Sequence, residues 1–346
     1  MMEKTKQSKK LSGHSLLLMI TVILFIAMYV AGCIMYANKG FTHLQNFLNI
    51  LISNAGLICV ASGMTCVMLT GGIDISVGSL IAMDCMILAD GMANKGWNAV
   101  FAIVLVLIIG VVWGVVQGFL VGYVKIQPFI VTMAGMFFGR GMTAVINTEQ
   151  VSITKDVSAT FYNMANAKIN LPQSWGYMAK THKIAPYIRP SVLIALAVVV
   201  VIWFILKYTK FGRVLYAVGG NETSASMMGL NVKKTKMKAY ILSSVLCSIG
   251  GILYCLNTQK GYVQQAKGLE MDAIAAAVIG GTLLTGGVGN VWGTLIGVLI
   301  TGTITSLVMT NGKLLSSWSN ILTAALLCLF ILLQAVFAYI QRRSES

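Results

Sequence analysis

Apolar runs of membrane-crossing length follow one another along this chain at residues 16–36, 50–69, 99–123, 128–146, 191–208, 239–256, 291–309 and 321–340, with shorter ones at 80–92 and 273–284. A helix needs about 20 such residues to cross the hydrocarbon core, so the pattern predicts an all-α, polytopic membrane protein of about ten transmembrane helices. Only 10% of residues are charged, against about 25% in a soluble domain. The 25 Lys and Arg outnumber the 10 Asp and Glu, giving a net charge of +15. They sit at the ends of apolar runs, as the positive-inside rule requires, and form no basic amphipathic face. The lipid membrane is therefore an expected partner and nucleic acid is not. Ten crossings put both termini, including the basic tail 1–15, in the cytoplasm. Val30-Ala31-Gly32-Cys33 resembles a lipoprotein cleavage box, but the apolar run continues past Cys33, which favours a retained first helix.

One polar break stands inside this apolar sequence, T-G-G-I-D-I-S-V-G-S-L-I-A from Thr70 to Ala82. Gly71, Gly72 and Gly78 let the backbone leave the helix where Asp74 and Ser76 appear. An intramembrane carboxylate beside unwound backbone marks a cavity, a partner or a path. A shift of 215 positions sets Thr70-Gly71-Gly72 against Thr285-Gly286-Gly287, Gly78 against Gly293, and Leu80-Ile81 against Leu295-Ile296, with Gly289 opposite Asp74. Two Gly-interrupted segments in corresponding places point to the centre of a transporter. Asp84 and, in the fifth run, Arg140 are further charges at apolar depth. A guanidinium there needs a partner or a wet cavity, and Asp74 and Asp84 are the acids at comparable depth. Gly110, Gly114, Gly118 and Gly122 lie on one face of the fourth run, which allows another helix to approach to backbone contact, within the chain or across a dimer.

The remaining sequence reads as connections. Residues 41–47 carry a short apolar stripe that predicts an interfacial helix before the second span. Residues 147–190 form a long polar connector, placed outside, where it offers a docking surface. Glu270 and Asp272 are expected to flank the outer end of the eighth span. Residues 207–238 hold seven basic residues and one acidic one, so this loop is expected inside. Within it Asn221 can cap a short helix running through Glu222, Ser224 and Ala225 to Met228, where Gly229 stops it. Met227 and Met228 on such a helix suit insertion into a groove of a cytoplasmic partner.

The chemistry of an enzyme is missing. There is no Gly-x-x-x-x-Gly-Lys-Ser/Thr to cradle ATP, no Gly-x-Ser-x-Gly and no His-Glu-x-x-His. The seven cysteines lie in apolar segments without a Cys-x-x-Cys pair, and His14, His43 and His182 have no ligand partners at metal spacing. No catalytic residue, metal or cofactor is expected.

Three ordered motifs carry a resemblance: T-G-G-I-D-I-S-V-G-S, the loop F-G-R-V-L-Y-A-V-G-G-N-E-T-S-A-S-M-M-G-L, and E-M-D-A-I-A-A-A-V-I-G-G-T-L-L-T-G-G-V-G-N-V-W-G. Together they resemble the permease subunit of bacterial ribose/galactose-type ABC sugar importers, over residues 44–340. M-A-G-M-F-F-G-R-G and Y-A-V-G-G-N-E-T-S-A are most similar to the galactofuranose-importer permeases, in which two different permeases pair. The resemblance implies a subunit of the cytoplasmic membrane that receives a sugar from an extracytoplasmic sugar-binding protein and passes it inward when a separate ABC ATPase closes. A second permease subunit completes the pore. The loop that meets the ATPase then contains Arg213, Gly220, Asn221, Glu222, Ser224, Ala225, Met228 and Gly229, and Asp74 lies in the family's central signature. Ile75 replaces a more usual Leu, and the 147–190 connector is longer than the family's pattern. On this reading the two breaks line the path, while Asp74, Asp84 and Arg140 either contact the sugar or hold structure.

Overall fold

The computed structural model describes residues 13–179 and 182–345; most of the expected tail 1–15 lies outside them. In chain order the helices are α1 (Gly13–Met35), α2 (Leu44–Met68), α3 (Val77–Ala93), α4 (Ala99–Phe119), α5 (Pro128–Ile146), α6 (Ala159–Asn166) and α7 (Pro190–Tyr208). They continue as α8 (Lys210–Gly220), α9 (Glu222–Met227), α10 (Val232–Thr258), α11 (Leu269–Ile279), α12 (Val291–Asn311) and α13 (Ser317–Glu345). Among the described residues eight of these, α1, α2, α4, α5, α7, α10, α12 and α13, are long and apolar enough to cross a membrane. The shorter α3 and α11 complete the ten expected apolar segments, so the chain is all-α and polytopic.

Helix α2 is the axis of the bundle. From Ala55 onward it is largely apolar all round, and its side chains are buried from Ala55 to Met68 between α10, α12, α7 and α11, as a helix segment without a solvent stripe requires. By contrast α1, α4, α5, α7 and α13 turn large apolar side chains outward, among them Ile26, Val112, Phe137, Phe204 and Leu332. The stripe at 41–47 is not a separate interfacial helix. Phe41 is fully buried with its ring centroid 5.5 Å from that of Tyr29, and this contact turns the chain directly into α2.

The glycine face of α4 packs within the chain, against α10. A Cβ on Gly114 would lie 2.5 Å from the Ile241 Cα, and one on Gly118 2.7 Å from the Met237 carbonyl oxygen. The connector 147–190 is folded, not loose. Its α6 buries Phe161 and Ala165, and short antiparallel ladders join β1 (Val151–Ser152) to β6 (Lys260–Gly261), β2 (Ile169–Asn170) to β5 (Tyr187–Ile188), and β3 (Tyr177–Ala179) to β4 (His182–Ile184). Where α2 begins, Gln45 holds this connector by accepting from the Tyr187 amide at 2.8 Å.

Because Gly114 meets backbone and not a movable side-chain end, Gly114→Leu is expected to destabilise the protein by at least about 1–3 kcal/mol. Gly141→Ala, at a helical position with nothing within 4 Å, should be neutral or slightly stabilising. Thermal unfolding of the two purified variants in detergent checks the contrast.

Candidate functional site

The first break runs from Leu69 to Ser76 and is closed by its own side chains. Gly71 takes φ +75°, which turns the chain out of α2. One Asp74 carboxylate oxygen accepts from the Ser76 amide at 3.0 Å and the Ser76 hydroxyl at 2.6 Å; the other accepts from Ser243 at 3.5 Å. Ser76 Oγ in turn accepts from Trp113 Nε1 at 3.1 Å and Gln117 Nε2 at 2.8 Å. Asp74 and Ser76 are both buried, so this network fixes the bend from within and ties it to α4 and α10. The freed carbonyl of Ile73 accepts from the Tyr240 hydroxyl at 3.2 Å.

Arg140 does not pair with Asp74 or Asp84. Its Nη1 donates to the carbonyls of Val263 at 2.9 Å and Gln265 at 2.5 Å. The acid that acts on it electrostatically is Glu270. Those carbonyls belong to the stretch after α10, which the apolar pattern left as an outer connector. Instead it descends alongside α3: Gly261 backs onto Cys85 and Met86, whereas Ala266 and Glu270 abut Gly78. The eight positions of α3 between Gly78 and Met86 correspond to a descent of about 12 Å. Turn backbone at that depth has carbonyls with no helical partner, and the guanidinium supplies donors for two of them. Asp84 is fully buried beside Gly251 and Ser248, and neither carboxylate oxygen is hydrogen-bonded.

The second break, residues 280–290, meets the first. Gly286 and Gly287 take φ +88° and +75°, and the Gly287 amide donates to the Leu69 carbonyl at 3.0 Å. A Cβ on Gly286 would lie 2.7 Å from the Gly71 amide nitrogen and 3.1 Å from the Gly219 Cα. One on Gly287 would lie 2.8 Å from the Gly220 Cα, and one on Gly219 would overlap the Leu69 carbonyl. Glycines of both breaks and of the end of α8 thus meet backbone to backbone. The Tyr216 hydroxyl adds a bond of 2.9 Å to the carbonyl of Gly289. Gly72 and Gly78 make close approaches of their own, to the Tyr240 hydroxyl and to Glu270.

Beyond this junction the loop displays a short helix. Asn221 caps α9 by accepting from the Ser224 amide at 2.8 Å, Ala225 is buried beneath it, and Gly229 ends it at φ +76°. Glu222 pairs with Lys236 at 2.5 Å. Met227 and Met228 stand 83% and 67% exposed, which leaves them free for a partner. Arg213 reaches back to the Tyr208 carbonyl at 3.4 Å.

At the opposite end, where α2 begins and α10 and α12 finish, a cavity of about 640 Å³ opens between those helices. The descending stretch 259–268 and the start of α11 close one side. Asn49, Ser53 and Asn54 line it from α2, Asn257 from α10, and Thr305 and Ser306 from α12. Asp272 lies in its wall, not merely at the flank of a span. Asp74, Ser76, Asp84 and Arg140 do not line it. Deeper along the same helices, Thr65 of α2 and Thr294 of α12 share a buried hydroxyl bond of 2.7 Å. One signal for the cavity was present in the sequence, since Asn49 and Ser53 stand one helical turn apart, with Asn54 beside them, where the second apolar run begins.

A family profile described as "Branched-chain amino acid transport system / permease component" matches residues 46–332. The chain is 41% identical over 335 residues, 96% of each protein, to the inner membrane ABC transporter permease protein YjfF of Escherichia coli (strain K12). It is 32% identical to the fructose import permease protein FruG of Bifidobacterium longum (strain NCC 2705), covering 95% of this chain and 93% of that one. With the ribose import permease protein RbsC of Bacillus subtilis (strain 168) it shares 36% identity over 81% of each. No solved structure matches.

Removal of the Arg140 guanidinium leaves two carbonyls without donors in a low-dielectric site. Arg140→Met is therefore expected to lower stability by about 2–4 kcal/mol. Asp84→Asn should leave stability unchanged or raise it, because an unpaired buried carboxylate is relieved. Unfolding midpoints of the two variants in the same detergent check this; an equal loss in both would mean that Asp84 does neutralise Arg140.

Proposed function

Because the chain belongs to the permease-component family of the branched-chain amino acid transport system, we propose that it is the membrane subunit of a bacterial ABC importer for a monosaccharide. The similarity to ribose and fructose import permeases supports a sugar as cargo. Galactofuranose is the finer reading, supported by M-A-G-M-F-F-G-R-G and Y-A-V-G-G-N-E-T-S-A. The protein lies in the cytoplasmic membrane as a multi-pass subunit with both termini inside. Energy comes from a separate ABC ATPase and cargo from an extracytoplasmic sugar-binding protein, while a second permease completes the transporter.

The observation that carries the mechanism is the glycine junction. The loop 207–238 meets the ATPase through Met227 and Met228, and α8 ends in Gly219 and Gly220, which touch Leu69 and Gly287. Without Cβ atoms between them, any displacement of α8 is passed directly to both breaks, and from them to α2, α3, α11 and α12. Alternating access then amounts to these helices shifting about the breaks, with the Thr65–Thr294 contact opening as the cavity closes. Asp74 and Ser76 keep the first break in one shape during that movement. The folded connector 147–190 is the surface for the sugar-binding protein. It is fastened to the cavity rim through Gln45 and through Arg189, which donates to Asn257 at 3.2 Å.

Glu222→Ala combined with Met228→Asp should leave docking of the sugar-binding protein intact and reduce ATP-driven uptake by about tenfold or more, as loss of an interface anchor does. Unchanged coupling in proteoliposomes would refute the loop assignment. A cysteine placed by M227C should react with an impermeant maleimide in inside-out vesicles and not on intact cells. Labelling on intact cells would invert the orientation and remove the proposal.

A further inference from the structure

We infer that the cavity between α2, α10, α11 and α12 is a binding site for a neutral polyhydroxylated sugar ring, with Ser53, Asn54, Tyr254, Asn257, Asp272 and Ser306 as its recognition groups. The inference rests on the transporter reading above and deepens it, because nothing in the sequence motifs or the relatives assigns these residues.

Three features of the cavity carry it. Its volume of about 640 Å³ falls within the ~300–1,000 Å³ range of small-molecule sites. Its polar groups are mostly neutral amides and hydroxyls, with the one acid, Asp272, accompanied by one base, Lys267. Such a lining suits a substrate rich in hydroxyls and without net charge. A branched apolar amino acid would instead want an apolar pocket beside its paired charges. Finally, the groups are free to bind. Ser53 Oγ, Tyr254 Oη, Asn257 Nδ2 and both Asp272 carboxylate oxygens take part in no hydrogen bond among the described residues.

The geometry assigns roles to these groups. Asn54 donates to the Ile50 carbonyl at 2.8 Å, which leaves its amide oxygen to accept from a sugar hydroxyl. Asn257 is held from behind by Arg189 and presents its amide nitrogen. A carboxylate can accept two hydrogen bonds side by side, so Asp272 matches a vicinal diol. Tyr254 of α10 and Tyr262 of the stretch that follows it offer aromatic surface to the C–H face of a ring. Tyr262 belongs to the stretch whose carbonyls Arg140 holds, which makes Arg140 a positioning residue for that side of the site. Deeper along α2 and α12 from a bound sugar lies the Thr65–Thr294 contact.

The test uses the complete transporter, with its ATPase, partner permease and sugar-binding protein, in proteoliposomes, and follows uptake of labelled D-ribose, D-fructose and D-galactose, the last including its furanose form, with L-leucine as competitor. Ser53→Trp fills the cavity from an exposed helix position, and is expected to cut ATP-driven sugar uptake at least tenfold while ATPase stimulation by the sugar-binding protein persists. Asp272→Asn should raise KM for the sugar by about tenfold, one charge-assisted hydrogen bond, with little change in maximal rate. Val112→Trp, on the outward apolar face, should leave uptake unchanged. Normal sugar uptake in both cavity variants would overturn this site and leave the transporter reading standing. Competition by leucine would overturn the sugar class. Absence of ATP-dependent sugar uptake by the unmodified complex would instead overturn the transporter reading itself.

Discussion

A backbone amide or carbonyl inside hydrocarbon has no water to turn to, and every departure from helix in this protein is organised around that constraint. Three stretches depart within the bundle, and each is supplied differently. At the first break Asp74 accepts from the amide and the hydroxyl of Ser76, and Tyr240 covers the Ile73 carbonyl. At the second, the Gly287 amide takes the carbonyl that α2 leaves open at Leu69. Along the descending stretch after α10, the guanidinium of Arg140 serves two carbonyls. The charged and polar residues deep in the chain, Asp84 apart, are thereby accounted for mostly as partners of backbone.

The absence of side chains is the second organising device. Glycines on α4 bring its backbone against α10, and glycines on three separate segments meet where the breaks converge. Close packing of this kind transmits displacement because nothing compressible lies between the parts. The same closeness makes the arrangement intolerant of even one added methyl group, at Gly219 above all. The polar cavity and the junction lie at opposite ends of α2, α11 and α12. The helices that meet at the junction are therefore the helices that wall the cavity, so a displacement at one end of them reaches the other without a further relay.

Asp84 remains unlike the other deep charges. It is buried on α3 without a hydrogen bond to either carboxylate oxygen, beside Gly251 and Ser248 of α10. Its surroundings give it no part in the break, the descending stretch or the cavity.

Much of this was legible in the chain because membrane burial writes itself into composition. Apolar runs set the helices to within about seven residues at their ends, glycines marked both breaks, Asn221 and Gly229 bounded a short helix, and the spacing of Gly110 to Gly122 announced a close helix contact. The choice of partner for each of these features was not legible, since a one-dimensional pattern says that a group needs company without saying which. Arg140 illustrates the limit: charge alone pointed to Asp74 and Asp84, while the tertiary structure gave it two carbonyls from more than a hundred residues away. The descent of residues 259–268 and the cavity it walls were likewise invisible, because a polar stretch reads the same whether it lies outside the membrane or inside one lined by protein. Sequence thus determined which segments enter the bilayer and where they bend; only packing decided what those bends touch, because backbone contacts between distant segments depend on space and leave no local signature.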